Sequence, residues 1–404
     1  MLSRQLPAYS PVDRTALAAG LAAAVRGERS GARARISRWL RENFSASDVL
    51  LTDSGTTALA LALAGAGRSR EGSVALPAYG CYDLATAADA AGMDVSLYDL
   101  QPATLAPDPE SVRTVLADGV SALVVAPLYG VPVEMSPLTD AARETGARVI
   151  EDAAQGAGAC LGERPVGSHG DLTVLSFGRG KGLTGGGGGA LLGFARDDAA
   201  LIGEARSRLG PGGRGWPDLV RTAAQWALGR RALYGLPASL PFLSLGETVY
   251  RDPHPPEGMP VACAGVLTRT LELQEEEAAR RRTHAARLQR AVQRCPDLRA
   301  VAPPEAARPG WLRFPVITET AEATSRLTGH PARQLGIMPG YPKPLPRLPG
   351  FGDRCRNAGD RFPGAEQLAS SLFTLPTHGR LRDEDVDRIV DLLGSVDPSQ
   401  TAAA

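Results

Sequence analysis

The chain is poor in the residues that build disulfides and metal sites. Its 404 residues include five cysteines, Cys81, Cys160, Cys263, Cys295 and Cys355, and five histidines, His169, His254, His284, His330 and His378. The cysteines are odd in number and form no CxxC pair, and the histidines lack metal-ligand spacing. We therefore expect no disulfide framework and no metal site. Reduced thiols in the cytoplasm are the simplest interpretation.

Excess charge and membrane-spanning runs are also lacking. Lys plus Arg and Asp plus Glu number 44 each, so the formal net charge is zero. Nucleic-acid-binding proteins usually show a basic excess, so we expect no nucleic-acid partner. The Ala-rich stretch Ala16–Val25 lies between Arg14 and Arg26 and is too short to span a bilayer. It is interpreted as an amphipathic helix, and no membrane partner is expected.

What the chain does have is length and a globular composition, with 43% hydrophobic and 22% charged residues. A chain of this length usually forms more than one hydrophobic core. We expect a large α/β domain at 1–250, a smaller α+β domain at 251–398 and a frayed tail at 399–404.

The first half alternates apolar runs with helix-like segments. The predicted strands are Ser73–Pro77, Asp94–Tyr98, Ala122–Ala126, Ala147–Glu151, Leu172–Phe177 and Ala190–Phe194, and the predicted helices are Thr57–Ala64, Leu84–Ala91 and Pro137–Thr145. This order indicates a mostly parallel central sheet with helices on both faces. Such sheets bind ligands beyond the carboxyl ends of their strands.

The second half has a different pattern. The segments predicted there are helices at Leu219–Leu228, Ala262–Val292 and Asp383–Leu393 and a strand at Trp311–Ile317. This mixture is the basis for the smaller α+β domain.

Three segments contain candidate reactive residues, and two of them follow predicted strands. Ser54-Gly55-Thr56 precedes a helix and suits an anion, although taken alone the segment is better explained as an ordinary capping turn. Asp152 at a strand end could hold a protonated ring nitrogen such as that of pyridoxal phosphate, or could simply cap the next turn. Lys181 lies in a glycine-rich loop whose spacing does not fit a Walker phosphate loop. A nonfunctional glycine-rich hairpin remains the alternative for Lys181.

Taken together, these segments resemble the DegT/DnrJ/EryC1/StrS family of pyridoxal-phosphate-dependent sugar aminotransferases. The matching segments, in the family's order, are Ser54–Leu59, Leu128–Met135, Glu151–Asp171, Ser176–Ala190 and Thr374–Val390. The resemblance implies a fold-type I transferase that forms a homodimer with active sites at the subunit interface.

The resemblance also implies residue roles. Lys181 would carry the cofactor as a Schiff base, the internal aldimine, and Asp152 would pair with its ring nitrogen. Gly55, Thr56 and Ser176 would hold the phosphate, and Gln155 would lie near the ring. The family's stacking aromatic residue aligns with Cys81, so Tyr82, one residue later, is predicted to stack on the ring. Tyr341 is predicted to face the substrate.

Several positions depart from the family pattern. Gly187 stands where the family has Glu, Pro127 where it has His, and Val249 where it has an Asn that reaches the partner's cofactor phosphate. Arg179 is hypothesised to supply the missing positive charge.

The implied activity is ping-pong transfer of an amino group from an amino acid, expected to be glutamate, to a keto sugar that is expected to be nucleotide-linked. A fold-type I enzyme acting on a non-sugar ketone or aldehyde is one alternative. A non-catalytic regulator that binds pyridoxal phosphate is another.

Overall fold

The computed structural model of the chain describes residues 4–67, 72–230, 234–235 and 250–394. The helices in these ranges are α1 (Arg14–Arg26), α2 (Ala32–Phe44), α3 (Gly55–Ala66), α4 (Asp83–Ala91), α5 (Pro109–Ala117), α6 (Ser136–Thr145), α7 (Asp198–Ser207), α8 (Trp216–Leu228), α9 (Val261–Thr270), α10 (Gln274–Val292), α11 (Ala321–Thr328), α12 (His330–Gln334), α13 (Pro363–Ser371) and α14 (Asp383–Gly394). None of them is long and apolar enough to cross a membrane.

The strands in the same ranges form three sheets. They are β1 (Asp48–Thr52), β2 (Ser73–Pro77), β3 (Asp94–Tyr98), β4 (Ala122–Val125), β5 (Arg148–Asp152), β6 (Cys160–Leu161), β7 (Arg164–Pro165), β8 (Leu172–Ser176), β9 (Gly189–Gly193), β10 (Leu298–Ala300), β11 (Ala307–Arg308), β12 (Phe314–Thr318), β13 (Met338–Pro339) and β14 (Leu372–Leu375). The central sheet has seven strands in the order β1-β9-β8-β5-β4-β2-β3. Strands β3, β2, β4, β5 and β8 are parallel, and β9 and β1 complete the sheet by antiparallel pairing.

Side-chain alternation along these strands covers both faces of the sheet. Leu50 and Leu191 pack in the apolar cluster that contains α3. Their neighbours Val49 and Leu192 point the other way, into a second cluster with α2 and α9. The predicted parallel sheet with helices on both faces is therefore present.

The smaller sheet is antiparallel, in the order β10-β12-β14-β13, and α10 and α14 pack together beside it. The N-terminal segment, residues 4–12, reaches these elements. The Gln5 N–H donates to the Gln334 carbonyl at 2.9 Å, and the His378 ring donates from Nε2 to the Leu6 carbonyl at 2.9 Å. The N-terminal segment is thus bound by hydrogen bonds to the C-terminal part of the chain.

The prediction of one long helix over Ala262–Val292 was wrong. A 3-10 turn at Leu271–Leu273 separates α9 from α10. The two helices have different partners: α9 packs on α1, whereas Arg287 of α10 pairs with Asp383 of α14 at 2.6 Å. The Thr270 hydroxyl at the break donates to the Thr184 carbonyl at 2.6 Å, which ties the turn to the loop after Lys181.

Two further differences concern strands. β1 was not predicted; its five residues pair with β9 at the edge of the central sheet. The strand predicted from Trp311 begins at Phe314, since Trp311 adopts a left-handed backbone with φ of 42°. The predicted tail at 399–404 and Val249 lie outside the described residues, and the domain boundary at residue 250 stays a prediction.

Candidate active site

The carboxyl edge of the central sheet gathers the predicted site residues. β5 ends at Asp152 and β8 at Ser176, and the turn after β1 leads into α3. A small cavity at this edge, here called the inner cavity, is lined by Gly55, Thr56, Asp152, Gln155, Ser176 and Lys181, with Cys81 and Pro127 among its other residues. Six of the seven residues predicted to bind the cofactor therefore meet in one place.

The first turn of α3 forms one side of the inner cavity. The Ser54 hydroxyl caps the helix by accepting from the Thr57 N–H at 3.0 Å. The amides of Gly55 and Thr56 lie in the first turn, where no intrahelical acceptor exists, and this is the position that favours an anion. A Cβ on Gly55 would lie 2.7 Å from the Cβ of Ser176, so glycine is required for the helix to approach that hydroxyl.

Asp152 contributes a carboxylate to the same cavity. Burial raises the pKa of this group, and the charge of Lys181 opposes the rise. One oxygen accepts from the Ala154 N–H at 3.1 Å. A carboxylate and a primary amine, both partly buried, thus line the same cavity.

Lys181 lies on the loop between β8 and β9. The preceding residue, Gly180, has φ of 75° and donates its N–H to the Ser10 hydroxyl at 2.9 Å. A Cβ on the following residue, Gly182, would lie 2.7 Å from the Cβ of Ala157. Glycines on both sides let the loop pack closely against its neighbours, which holds Lys181 at the cavity. The contact with Ser10 was not predicted, because no local pattern links residues so far apart.

Gln155 connects the inner cavity with two tyrosines. Its side-chain oxygen accepts from the Tyr129 N–H at 2.9 Å, and its nitrogen donates to the Tyr341 hydroxyl at 2.9 Å. The two tyrosine rings stack with centroids 6.2 Å apart. Tyr129 was not predicted to belong to the site. Its position shortly after β4, at the carboxyl edge of the sheet, could have indicated it.

Tyr82 does not line the inner cavity. It is buried beside Tyr341, with ring centroids 6.4 Å apart, and its hydroxyl donates to the Lys343 carbonyl at 3.4 Å. The lining residue is its neighbour Cys81. Burial, assisted by the charge of Asp83, raises the pKa of the Cys81 thiol to about 12, so the sulfur stays protonated. Stacking of Tyr82 on a cofactor stays a prediction.

A second cavity of about 560 Å³, here called the outer cavity, adjoins the first, and Gln155 and Lys181 line both. Tyr341 and Arg179 line the outer cavity. That Tyr341 faces the substrate stays a prediction. The hypothesis that Arg179 supplies charge to a cofactor phosphate stays a prediction.

No group of three or more His, Cys, Asp or Glu side chains that could hold a metal ion occurs in the described part of the chain. Gly187 packs against its neighbours: a Cβ there would lie 3.3 Å from the Cys263 sulfur, a tight contact, and 3.8 Å from an Asp218 oxygen. The site is therefore built from an amine, a carboxylate, hydroxyls and helix amides.

Solved structures confirm the fold class. The chain aligns with an aminotransferase of the DegT, DnrJ, EryC1 and StrS type from Brucella abortus with a TM-score of 0.72 at 21% identity, over 93% of this chain and 94% of that one. It aligns with 3-amino-5-hydroxybenzoic acid synthase with a TM-score of 0.76 at 19% identity, over the whole of both chains. These similarities establish the fold of pyridoxal-phosphate-dependent fold-type I transferases.

A family model narrows the class further. The model of the DegT/DnrJ/EryC1/StrS aminotransferase family matches residues 30–208 and 258–394. The chain belongs to this family, as its motifs indicated. The N-terminal residues 1–29 and the segment 209–257 lie outside the match.

Curated relatives share shorter regions. L-glutamine:scyllo-inosose aminotransferase of Streptomyces griseus is 36% identical over 36% of this chain and 34% of its own length. The dTDP-3-amino-3,4,6-trideoxy-alpha-D-glucose transaminase of Micromonospora megalomicea subsp. nigra is 26% identical over 85% of this chain and 84% of its own. The matched regions span only 34 to 39% of the first three relatives.

Proposed function

We propose that this protein is a pyridoxal-phosphate-dependent aminotransferase that moves an amino group from an amino acid to a keto sugar. The observation that supports the proposal most directly is the meeting of Lys181, Asp152 and the first turn of α3 in one inner cavity. When bound, pyridoxal phosphate supplies an electron sink for the charge released at the donor's Cα.

The donor set of the inner cavity fits this cofactor. The amides of Gly55 and Thr56 and the Ser176 hydroxyl would hold a phosphate, as helix N-termini commonly do. The Asp152 carboxylate would pair with the protonated ring nitrogen, and the Lys181 amine would attach to the aldehyde carbon. Each part of the cofactor thus finds a chemically matched group.

Lys181 is the group that would move protons. With the donor bound, the free Lys181 amine would take the proton from the donor's Cα. Asp152, held by the Ala154 N–H, keeps its charge in a fixed position during this transfer. Gln155 holds Tyr129 and Tyr341 at the boundary with the outer cavity, where the acceptor would enter.

Glutamate is the proposed donor and a nucleotide-linked keto sugar the proposed acceptor. The relatives support a keto sugar or keto cyclitol as acceptor, and the inosose aminotransferases among them are named for glutamine as donor. We place the protein in the cytoplasm, an assignment supported by its five free cysteines.

The decisive test is attachment of the cofactor to one lysine. Borohydride reduction of the purified protein followed by peptide mapping should place the cofactor on Lys181. Lys181→Ala should lose the visible absorption band of the attached cofactor and all amino transfer from glutamate or glutamine. Turnover retained by Lys181→Ala, or a label on another residue, would show the assignment to be wrong.

A homodimer is proposed as the working form. Among the described residues, the exposed large hydrophobic side chains are Leu21 and Val25 on α1 and Trp216, Val220 and Leu228 on α8. An apolar face shared by two packed helices favours burial against another surface, and a second copy of the chain is the proposed partner. Light scattering should report a dimer for the wild type and a monomer for Val220→Glu, whereas an unchanged mass would count against this face as the interface.

A further inference from the structure

The loop that carries Lys181 is built mainly of glycine. Seven of the eleven residues between Phe177 and Gly189 are glycines. Glycine loses more conformational freedom on folding than any other residue, so a loop of this composition depends on contacts that hold it in place. Beyond the lysine, the Thr184 hydroxyl donates to the Phe177 carbonyl at 3.2 Å and ties the two ends of the loop together. The part of the loop before the lysine is held by a different contact.

That contact comes from the N-terminal segment. The Gly180 N–H donates to the Ser10 hydroxyl at 2.9 Å, and Gly180 has a left-handed backbone with φ of 75°. A Cβ built on Gly180 would lie 3.5 Å from the Cβ of Ala8, which is ordinary van der Waals contact. The residue that immediately precedes Lys181 therefore lies against residues 8–10.

The N-terminal segment is itself held on both sides of Ser10. The Leu6 carbonyl accepts from the His378 ring at 2.9 Å. The next carbonyl, that of Pro7, accepts from the Arg313 guanidinium. At the other end of the segment, Val12 is buried in an apolar cluster with side chains of α1, α8 and α9. The Ser10 hydroxyl is thus a hydrogen-bond acceptor in a fixed position.

Arg313 is a strong anchor for the segment because its charge is buried. The residue is 9% exposed, and burial lowers its pKa to about 10, so the guanidinium stays protonated at neutral pH. It also donates to the Thr374 hydroxyl at 2.6 Å and to the Gly336 carbonyl at 3.1 Å. Hydrogen bonds from a charged donor are roughly twice as strong as neutral ones. The C-terminal part of the chain therefore fixes the segment that contacts the Lys181 loop.

We infer that Ser10 is a positioning residue for Lys181: its hydroxyl fixes the backbone before the lysine and thereby the place of the lysine amine. Lys181 lines both cavities, so rotation of the backbone at Gly180 would move the amine relative to Asp152. Small misplacements of a reacting group lower its rate steeply. This inference rests on the proposed function and adds a residue from outside the family match, which begins at residue 30.

The rate of cofactor attachment tests the position of the amine. Apoprotein mixed with pyridoxal phosphate should develop a visible absorption band, and its rate of appearance is compared between variants at saturating cofactor. Ser10→Ala removes the acceptor of the Gly180 N–H, so the rate should fall about threefold to tenfold, the effect of one hydrogen bond. Ser10→Thr keeps the hydroxyl and should restore the wild-type rate.

Ser111→Ala is the matched control. The Ser111 hydroxyl also accepts from a backbone N–H, that of Asp99 at 2.9 Å, and the residue is partly buried like Ser10. Ser111 lines neither cavity, so its variant should attach the cofactor at the wild-type rate. Equal rates in Ser10→Ala and Ser111→Ala would overturn the inference. Equal losses in Ser10→Ala and Ser10→Thr would also overturn it, because packing alone would then explain them.

Hydrogen exchange of the apoprotein gives a second measurement that involves neither cofactor nor activity. Peptides that contain the Gly180 amide should exchange about threefold to tenfold faster in Ser10→Ala than in the wild type, since the amide loses its acceptor. The same peptides should exchange at the wild-type rate in Ser10→Thr and Ser111→Ala. Unchanged exchange in Ser10→Ala would overturn the inference, because other contacts would then hold the loop.

The role of Ser10 and the proposed function fail in different ways. A wild-type protein that attaches no cofactor to Lys181 would refute the proposed function. A wild-type protein that attaches the cofactor and transfers amine, with Ser10→Ala behaving as Ser111→Ala does, would keep the proposed function and refute the role of Ser10.

Discussion

The side-chain nitrogen of Gln155 donates to the Tyr341 hydroxyl at 2.9 Å, across residues separated by 186 positions in the chain. The other atom of the same amide, its oxygen, is taken by the Tyr129 N–H. Gln155 is only 9% exposed, so both ends of its amide are satisfied by protein groups in a largely buried place. The bond between Gln155 and Tyr341 thus connects the inner cavity, which Lys181 also lines, with the lining of the outer cavity.

Removing the Tyr341 hydroxyl should therefore affect both stability and acceptor binding. Tyr341→Phe leaves the Gln155 nitrogen without its acceptor, which should lower the free energy of unfolding by about 1–3 kcal/mol. The KM for the acceptor should rise, because the ring loses the bond that holds it. Denaturant unfolding and steady-state kinetics measure the two effects.

Tyr98→Phe is the matched control for that variant. The Tyr98 hydroxyl is buried and donates to the Val124 carbonyl at 2.6 Å, away from the outer cavity. Its loss should cost a similar free energy and leave the KM unchanged. A Tyr341→Phe enzyme whose KM equals that of Tyr98→Phe would limit Tyr341 to a structural role.

The approach of α3 to Ser176 predicts a strict requirement for glycine at position 55. In Gly55→Ala the new Cβ would lie 2.7 Å from the Cβ of Ser176. Overpacking of this kind costs about 1–3 kcal/mol, so cofactor affinity should fall roughly tenfold to a hundredfold. Titration of the apoprotein with pyridoxal phosphate measures this affinity. The control is Gly203→Ala on α7, where a Cβ meets nothing within 4 Å; equal affinities of the two variants would contradict the proposed phosphate site.

The carboxyl-edge rule explains why so much of this site could be predicted from the sequence. Parallel strands end at one edge, so the ends of the two predicted strands that correspond to β5 and β8 had to meet there. Asp152, Ser176 and Lys181 lie at or just beyond those ends, whereas Gly55 was predicted from its motif, because β1 was not predicted. The choice between Cys81 and Tyr82 could not be made in this way, because a one-residue shift changes which side chain faces the cavity.

Long-range packing set the features that the sequence did not predict. The continuous polar and apolar pattern over Ala262–Val292 contains no helix breaker, and only the separate partners of α9 and α10 explain the turn between them. The hydrogen bond from Gly180 to Ser10 likewise links positions 170 residues apart. Such contacts depend on the assembled tertiary structure and leave no periodic signal in the chain.

Two adjacent carboxylates on β5 allow a proposed catalytic role to be distinguished from a structural one. Asp152 lines the inner cavity, whereas Glu151 points away and accepts from the N–H groups of Gly167 at 2.7 Å and His169 at 2.8 Å. Asp152→Asn removes the charge proposed to hold the ring nitrogen, so amino transfer should fall about tenfold to a hundredfold. Glu151→Gln should lower stability and leave the rate per folded enzyme unchanged. Equal rates in the two variants would remove Asp152 from the proposed mechanism.

His378 should make the stability of the protein depend on pH. Burial lowers the pKa of this histidine from 6.5 to about 4, and the charges of Arg313, His284 and Arg380 add to the effect, although the bond to the Leu6 carbonyl opposes it. Between these two pH values the unfolded chain binds a proton that the folded chain does not. The free energy of unfolding should therefore fall as the pH falls from 6.5 towards 4, by on the order of 3 kcal/mol from this group.

Replacing His378 with a residue that does not titrate isolates its contribution to the pH dependence of the unfolding free energy. His378→Gln keeps an amide nitrogen that can donate to Leu6 and removes the titrating group, so its unfolding free energy should decline less steeply in the same pH interval. His330→Gln, at an exposed histidine, should follow the wild-type profile. Denaturant unfolding at several pH values between 4 and 7 compares the three proteins. Parallel profiles for His378→Gln and the wild type would assign the pH dependence to other groups whose pKa is lower in the folded chain, such as His169.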